Sequence, residues 1–290
     1  MTLIARPLLA AAAISLGLVS LPTLAAPAMW EIRDDDSTIW LFGSFHVLPE
    51  GTAWRTGLFD RVLTEAEQVV FEADIRPAAV AQMGAEAFVR GVYVDGTMLT
   101  DRLDDAVESL LREKAAAIGL PMGSILAMRP WMATNTITIQ ALAAEGYRAE
   151  GVEFVLQPDL QEGRLSFLES GGQQLDVLAG APEDEQVAML AATLEQLEAL
   201  PKLMDKMLDS WVDGTPEALG DLFLMEMGGF EEAFLDRLIY QRNRNWMVPL
   251  EAMLARDQEN LVVVGAAHLI GVGSVLDLLE DAGYEVERIQ

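Results

Sequence analysis

The sequence predicts an α/β protein of the α+β type, with a mixed central sheet built from both ends of the chain and a large helical insertion in the middle. Short apolar runs typical of strands occur before residue 77 and after residue 256, where they alternate with helical segments. The stretch between has mostly helical spacing. With 290 residues, 51% of them hydrophobic, the chain can bury a substantial core.

The N-terminal part predicts a hairpin followed by a βαβ unit. Trp30–Arg33 and Thr38–Phe42 have the character of hairpin strands, because the residues between them are turn formers. Phe59–Glu67 has helical spacing, and Gln68–Asp74 is predicted to be the next strand. Pro77 then opens a helix, since proline is favoured in the first helical turn.

The insertion, about 77–256, predicts a series of helices and one strand. Thr100 and Asp101 are predicted to start a helix that ends before Gly119. Pro249 is expected to disturb a longer helix over about 235–256. The other predicted elements are helices at 129–144, 151–161, 182–200, 201–212, 216–224 and 231–234, and a strand at 164–169.

The C-terminal part returns to alternating strand and helix. A strand is predicted at 261–264, a helix at 271–282 and a last strand at 284–289, with Gly283 as the helix C-cap. No linker rich in Pro, Gly or Ser interrupts residues 27–290, which are therefore expected to form a single domain.

Residues 1–26 are predicted to be a secretory signal peptide. Arg6 supplies a short positive segment, residues 8–21 are apolar, and Thr23 to Ala26 offer a small-residue cleavage site. The protein is therefore expected to be secreted, and to be periplasmic in a diderm bacterium. The mature chain is expected to have no stable membrane span; a retained membrane anchor is the alternative interpretation.

The composition excludes some classes of partner and of metal site. A net charge of −27 makes a surface that repels nucleic acid and anionic lipid, although acidity alone identifies no partner. The chain has no cysteine, so it uses no disulfides. Any metal site must then be built from nitrogen and oxygen ligands.

The only two histidines, His46 and His268, occur in the same local setting. Each follows an apolar strand and stands three residues after a glycine, Gly43 or Gly265. Ligands of α/β sheets bind outside the carboxyl ends of strands, and glycine there permits a sharp turn and leaves room for a ligand. The pair of Gly-x-x-His motifs therefore predicts one shared site, although each histidine taken alone is more often an ordinary loop residue.

Glu72 is the first candidate for a third ligand in this site. It interrupts an apolar strand at its carboxyl end, and strand alternation places Asp74 on the same face. Two imidazoles and a carboxylate suit a divalent metal such as Mn, Co or Zn. The alternative is that Glu72 and Asp74 form a solvated strand terminus.

Arg242 and Asn243 are further candidates, on a predicted helix. Arginine can bind a carboxylate or an oxyanion with two donors, but helical arginines are more often surface residues. The pair formed by Ser44 and a histidine is a weaker alternative for nucleophilic catalysis, because the Gly-x-Ser-x-Gly elbow is absent.

Several short motifs together give a resemblance to a known family. They are Leu41–Pro49, Phe71–Asp74, Arg129–Trp131, Gly151–Glu153, Phe167–Glu169, Gln173, Gln174, Arg242, Asn243 and Gly265–Tyr284. In order and spacing they resemble the TraB/PrgY/GumN family across nearly the whole mature chain. That family includes the Tiki metalloproteases and is similar to the erythromycin-esterase/ChaN-like superfamily.

The resemblance implies a metal-dependent site made of the two Gly-x-x-His motifs and a glutamate. By position these are His46, His268 and Glu72, with Arg242 and Asn243 as supporting residues. It implies a divalent-metal-dependent hydrolase, of the peptidase type, that acts on a peptide or small molecule. In that mechanism Glu72 is a ligand or the general base, and Arg242 stabilises the oxyanion. The alternative is a non-catalytic protein that binds a peptide or haem in the same cleft.

Overall fold

The computed structural model describes residues 26–34, 36–148, 150–228, 230 and 232–290. The predicted signal peptide, residues 1–26, lies outside the described residues except for Ala26. Within the described ranges no helix is both long and apolar enough to cross a membrane.

A six-stranded mixed sheet forms the centre of the fold, in the order β6-β4-β7-β2-β1-β8. Strands β6, β4, β7 and β2 are mutually parallel, whereas β1 runs antiparallel to both β2 and β8. The strands are β1 (Met29–Arg33), β2 (Thr38–Ser44), β3 (Leu48–Pro49), β4 (Gln68–Phe71), β5 (Tyr147–Arg148), β6 (Leu165–Phe167), β7 (Glu259–Gly265) and β8 (Glu285–Arg288). The predicted fold class is therefore confirmed, and one edge strand, β6, comes from the insertion.

Helices make up most of the rest of the described chain. They are α1 (Gly57–Glu65), α2 (Pro77–Gly91), α3 (Asp105–Ala117), α4 (Met122–Ile125), α5 (Pro130–Ala144), α6 (Val152–Leu156), α7 (Gly171–Ala179), α8 (Glu183–Gln196), α9 (Leu200–Val212), α10 (Pro216–Met227), α11 (Glu232–Leu235), α12 (Gln241–Leu254) and α13 (Val275–Asp281). Strands β3 and β5 form a separate two-stranded sheet.

Helix starts follow the capping residues, and this corrects two predicted boundaries. Thr100 and Asp101 belong to a 3₁₀ turn, and α3 starts later because the Asp104 side chain accepts a hydrogen bond from the backbone of Val107. Likewise α13 starts at Val275 rather than at residue 271, because Ser274 is its N-cap.

The disturbance predicted near Pro249 does not interrupt the helix, and an irregularity that was not predicted precedes it. Helix α12 runs through Pro249 as far as Leu254. The irregularity lies before α12, where Asp236–Tyr240 forms a π-helical turn between α11 and α12. Such turns are frequent at functional sites, and this one ends two residues before Arg242.

Alternating strand residues divide the core into two parts, one on each face of the sheet. Phe42, Phe71 and Val263 pack on the face covered by α1, α5, α8 and α9. Leu41, Val70 and Val262 point to the other face, where α12 and α13 cover them.

Trp211 of α9 connects the insertion to the sheet. Its ring packs against Phe42 and Phe45, and its indole nitrogen donates to the Gly43 carbonyl at 2.7 Å. This buried hydrogen bond satisfies the backbone carbonyl of the glycine in the first Gly-x-x-His motif.

Two glycines of α2 give a matched test of how the insertion packs. A Cβ at Gly91 would lie 2.9 Å from Trp131 Cζ2 and 2.4 Å from Met132 Sδ, whereas one at Gly84 would meet nothing within 4 Å. We therefore expect Gly91→Ala to lower the free energy of unfolding by about 1–3 kcal/mol. Gly84→Ala should raise it by about 0.5–1 kcal/mol, because alanine is the better helix former. Urea denaturation measures both changes, and equal effects would contradict the close packing of α2 on α5.

Candidate functional site

The carboxyl ends of four parallel strands meet at one edge of the sheet. His46 follows β2, Glu72 follows β4, Glu169 follows β6 and His268 follows β7. The parallel pairing of β2 with β7 places Ser44 beside Gly265, so the two Gly-x-x-His turns leave the sheet side by side. Open α/β sheets bind ligands at this edge.

Glu72 lies at the centre of these side chains. Its Oε1 accepts a hydrogen bond from the Gly265 backbone nitrogen at 2.7 Å. The same oxygen lies 3.7 Å from His46 Nε2 and 3.8 Å from His268 Nε2. Its Oε2 accepts from Arg242 Nη2 at 2.5 Å. One carboxylate therefore contacts both histidine-bearing turns and α12.

His268 is held as a neutral imidazole in one tautomer. The Asn243 amide nitrogen donates to the Gly273 carbonyl at 2.8 Å, so its Oδ1 faces His268 Nδ1 at 2.6 Å. His268 Nδ1 is therefore the donor. Nε2 accepts from Arg242 Nη1 at 2.9 Å, because a guanidinium can only donate. Burial, together with the nearby Arg242 charge, lowers the pKa of His268 to about 3.

The Nδ1 atom of His46 contacts a carboxylate, whereas that of His268 contacts an amide. His46 Nδ1 lies 3.0 Å from Glu153 Oε1, and the Ser44 hydroxyl donates to that same oxygen. Partial burial lowers the pKa of His46, but the carboxylates of Glu153 and Glu72 outweigh it and raise the pKa to about 9. Unlike His268, the side chain is 55% exposed, and it lines the site cavity.

The contact of Ser44 with Glu153 bears on the weaker alternative of a serine nucleophile. Its hydroxyl hydrogen points to a carboxylate that also binds His46 Nδ1, the ring nitrogen on the far side from Nε2. Ser44 therefore helps to orient Glu153 and is not hydrogen-bonded to a histidine acting as its base.

Arg242 is fully hydrogen-bonded inside the protein. Nη2 donates to Glu72 and to Glu169 Oε1 at 2.6 Å, and Nε donates to Glu169 at 3.1 Å. Nη1 donates to the Leu238 carbonyl at 3.1 Å and to His268. These contacts use all five guanidinium N–H groups. The guanidinium also lies 4.8 Å from the ring centroid of Trp246, a cation–π contact.

The buried charges of the site do not balance. The site holds three carboxylates with buried side chains and one guanidinium: Glu72 and Glu169 bind Arg242, and Glu153 binds His46. Burial raises the pKa of Glu72, but Arg242 and the two histidines outweigh it and hold that pKa well below the usual range. Glu72 is therefore ionised, and the cluster keeps an excess of negative charge that favours a bound proton or a further cation.

Three glycines allow the close approach of these elements. A Cβ at Gly265 would lie 2.7 Å from His46 Nε2 and 3.2 Å from Glu72 Oε1. A Cβ at Gly151 would lie 2.3 Å from the His46 carbonyl oxygen, so α6 can bring Glu153 to His46 only because residue 151 has no side chain. At Gly43 a Cβ would meet the Ala266 backbone at 3.2 Å.

Most of the site residues predicted from the sequence lie together, and Asp74 lies apart from them. His46, Glu72, Arg242, Asn243 and His268 form one hydrogen-bonded or closely packed group. Strand β4 ends at Phe71, so its alternation does not extend to Asp74. The Asp74 carboxylate pairs with Arg76 at 2.6 Å instead.

Sequence reasoning missed two acidic residues as site residues. Glu153 and Glu169 bind His46 and Arg242 respectively. Each lies in a motif quoted above for the family resemblance, which was the one available signal. Their roles depend on how α6 and β6 pack against the sheet, and residue spacing does not carry that information.

The donor set fits a divalent metal in its chemistry but not in its present arrangement. His46 Nε2, His268 Nε2 and Glu72 Oε1 are nitrogen and oxygen donors of the kind that such ions take, and ligands about 2.0–2.2 Å from one ion lie roughly 3–3.5 Å apart. Among the described residues, however, no three His, Asp or Glu side chains form a ready metal site. An ion would have to replace the proton on His46 and the Arg242 contact at His268 Nε2.

These side chains line a cavity of about 560 Å³ whose other walls are mostly apolar, with Asn135 and Gln174 as polar exceptions. Ser44, His46, Glu72, Arg242 and His268 lie on the sheet side. The insertion contributes mainly apolar residues, including Val177, Leu178, Met204, Met207, Leu219, Phe223, Leu238 and Ile239. A polar cluster at the base of an apolar cavity is the usual form of a small-ligand or substrate site.

Removing one carboxylate partner of Arg242 tests how much the charge cluster contributes to stability. Glu169→Gln leaves the guanidinium facing Glu72 alone in a buried setting, and we expect the free energy of unfolding to fall by about 3 kcal/mol. Glu162→Gln is the matched control, because Glu162 also pairs with an arginine, Arg76, but at 3.7 Å and with 90% of its side chain exposed. It should change stability by less than about 0.5 kcal/mol in the same urea titration. Equal losses would contradict a buried charge cluster.

Comparison with known proteins gives one positive result. The sequence matches the TraB/PrgY/gumN family over residues 28–288, which include every side chain of the site. No curated protein and no solved structure matches the chain. Because the family match covers nearly the whole sequence, the chain belongs to the TraB/PrgY/GumN family.

Proposed function

We propose that this protein is a divalent-metal-dependent hydrolase, of the peptidase type, whose ion is bound by His46, His268 and Glu72. One observation carries the proposal. The Nε2 atoms of both histidines face the same oxygen, Glu72 Oε1, at 3.7 and 3.8 Å, while the other nitrogen of each ring is held by Glu153 or Asn243. Metal-binding histidines in proteins typically have their second nitrogen held in this way.

The excess of buried carboxylates supports a cation at this place. Glu72, Glu153 and Glu169 are offset by one guanidinium, and a divalent ion would neutralise the remainder. When bound, Mn, Co or Zn would polarise a substrate carbonyl and lower the pKa of a water molecule.

The chain's own residues have separate roles in this proposal. Asn243 fixes the tautomer of His268, and Glu153 orients His46. Arg242 keeps Glu72 ionised and in position through four N–H groups that bind Glu72, Glu169 and the Leu238 carbonyl, whereas an ion at His268 Nε2 would take the place of the fifth contact. The apolar walls of the cavity suit side chains of a peptide and exclude water from the reacting bond.

We also propose that the protein acts after export. The support is the N-terminal sequence, with Arg6, the apolar residues 8–21 and a small-residue site at Thr23 to Ala26. The proposed metal site uses only nitrogen and oxygen ligands, and the sequence has no cysteine thiol that an oxidising compartment would oxidise.

A non-catalytic peptide-binding protein is the second candidate, and a specific observation favours it. Every N–H group of Arg242 is bound to Glu72, Glu169, His268 or Leu238, so none is free to donate to an oxyanion. A cleft with a structural arginine and apolar walls can hold a peptide without cleaving it.

Metal addition to chelator-treated protein tests both candidates. We expect Mn²⁺, Co²⁺ or Zn²⁺ to raise the melting temperature, with about 2.7 kcal/mol of stabilisation at one hundred times the Kd. His46→Ala should abolish the rise because it removes a ligand while it leaves the buried His268 network intact. Mass spectrometry of a peptide mixture with the metal-loaded protein then separates hydrolase from binder.

Asp74→Asn is the control for that experiment. It removes a carboxylate only two residues from Glu72, but this one pairs with Arg76 outside the site. The variant should keep the full metal response, whereas Glu72→Gln should lose it. A metal response that survives in both His46→Ala and Glu72→Gln would rule out this metal site.

A further inference from the structure

The site cavity adjoins two further cavities on different sides. The first, of about 190 Å³, shares Asn135 and Leu178 with it and lies among α5, α7 and α8. We call this the α5–α8 cavity. The second, of about 480 Å³, shares Phe223, Ile239 and Ala267 with it and lies beside α10. We call this the α10 cavity. The space next to Glu72 therefore has a neighbouring cavity on each of two sides, and shared wall residues lie between them.

The α5–α8 cavity suits an uncharged group. The described residues around it are apolar or neutral, and they include Trp131, Met189, Leu200 and Phe230. Its volume allows one large apolar side chain to enter. Methionine and aromatic walls adapt to such side chains without a fixed shape.

The α10 cavity has an apolar floor and an acidic rim. Trp30, Phe223 and Ile270 contribute to its floor. Glu217 and Asp221 line the same cavity one helical turn apart on α10, and both are exposed. With the net charge of −27, this end of the space favours a basic group carried on an apolar stem.

We infer that the three adjoining cavities bind an internal segment of an extended, basic peptide. An apolar side chain occupies the α5–α8 cavity, and a lysine or arginine reaches Glu217 and Asp221 at the α10 cavity. The chain continues on both sides of Glu72, so neither terminus of the peptide is needed for binding. Which bond reacts rests on the proposed peptidase function, whereas the binding mode does not.

The charges around these cavities also favour a basic peptide over an anionic lipid. An anionic headgroup would meet Glu217, Asp221 and the excess of carboxylates around Arg242. A peptide with alternating apolar and basic residues matches both the apolar cavities and the acidic rim.

Two blocked peptides test the inference. Both are acetylated and amidated dodecapeptides with the same apolar residues, with lysine at the polar positions of one and glutamate at those of the other. Calorimetric titration in chelator and about 150 mM salt measures binding without turnover. We expect the lysine peptide to bind at least tenfold more tightly. Equal affinity for the two, or tight binding of anionic lipid vesicles in place of the lysine peptide, would overturn the inference.

Charge reversal at the rim locates the basic group. Glu217→Lys with Asp221→Lys should weaken binding of the lysine peptide at least tenfold. The control, Glu67→Lys with Glu259→Lys, changes the net charge equally at the amino ends of β4 and β7, on the opposite edge of the sheet from the site. It should leave the Kd within about twofold at this salt concentration. The same loss in both variants would show a long-range charge effect only and would overturn the assignment.

Filling the α5–α8 cavity tests its occupant. Thr138→Phe should weaken binding at least tenfold, and Thr138→Leu serves the same purpose if the larger side chain prevents folding. An unchanged Kd in a folded variant would show that the peptide does not use this cavity. Binding without cleavage would contradict the hydrolase proposal alone, whereas cleavage without preference for the lysine peptide would contradict this inference alone.

Discussion

The site depends on one guanidinium that lies between two buried carboxylates. Arg242 binds Glu72 at the end of β4 and Glu169 just after β6, and it also donates to His268. Removing an arginine from water is costly, and here every N–H group is compensated by a protein acceptor. The guanidinium therefore ties α12 to three strand ends at once. The positions of Glu72 and His268 follow from it.

The two histidines have similar sequence settings but different electrostatic environments. His268 is buried with an amide and a guanidinium, which hold it neutral and lower its pKa to about 3. Against the opposing effect of burial, Glu153 and Glu72 raise the pKa of His46 to about 9, and more than half of its side chain is exposed. One ring is thus fixed within the protein, and the other faces the cavity with a proton that a cation can replace. A shared motif therefore yields one rigid group and one exchangeable group.

Sequence reasoning identified the site residues that follow β2, β4 and β7, and it missed residues whose contacts depend on tertiary packing. His46, Glu72 and His268 were predictable because parallel strands bring their carboxyl ends to one edge of a sheet. Glu153 and Glu169 were missed because their contacts depend on how the insertion packs, which also decides that β6 pairs with β4 and brings Glu169 to that edge. Asp74 was expected beside Glu72, but β4 ends at Phe71 and the chain turns before alternation can apply. The π-helical turn at Asp236–Tyr240 was also missed, because no proline marks it.

The π-helical turn connects the backbone irregularity with the site. A π turn inserts one residue into a helix and rotates every later side chain around the axis. Leu238 and Ile239, within this turn, line the site cavity, and the Leu238 carbonyl accepts from Arg242. Arg242 is the second residue after the turn, so its direction and that of Asn243 depend on the inserted residue. A regular helix over the same residues would point both side chains elsewhere, and Glu72 and His268 would lose their shared partner on α12.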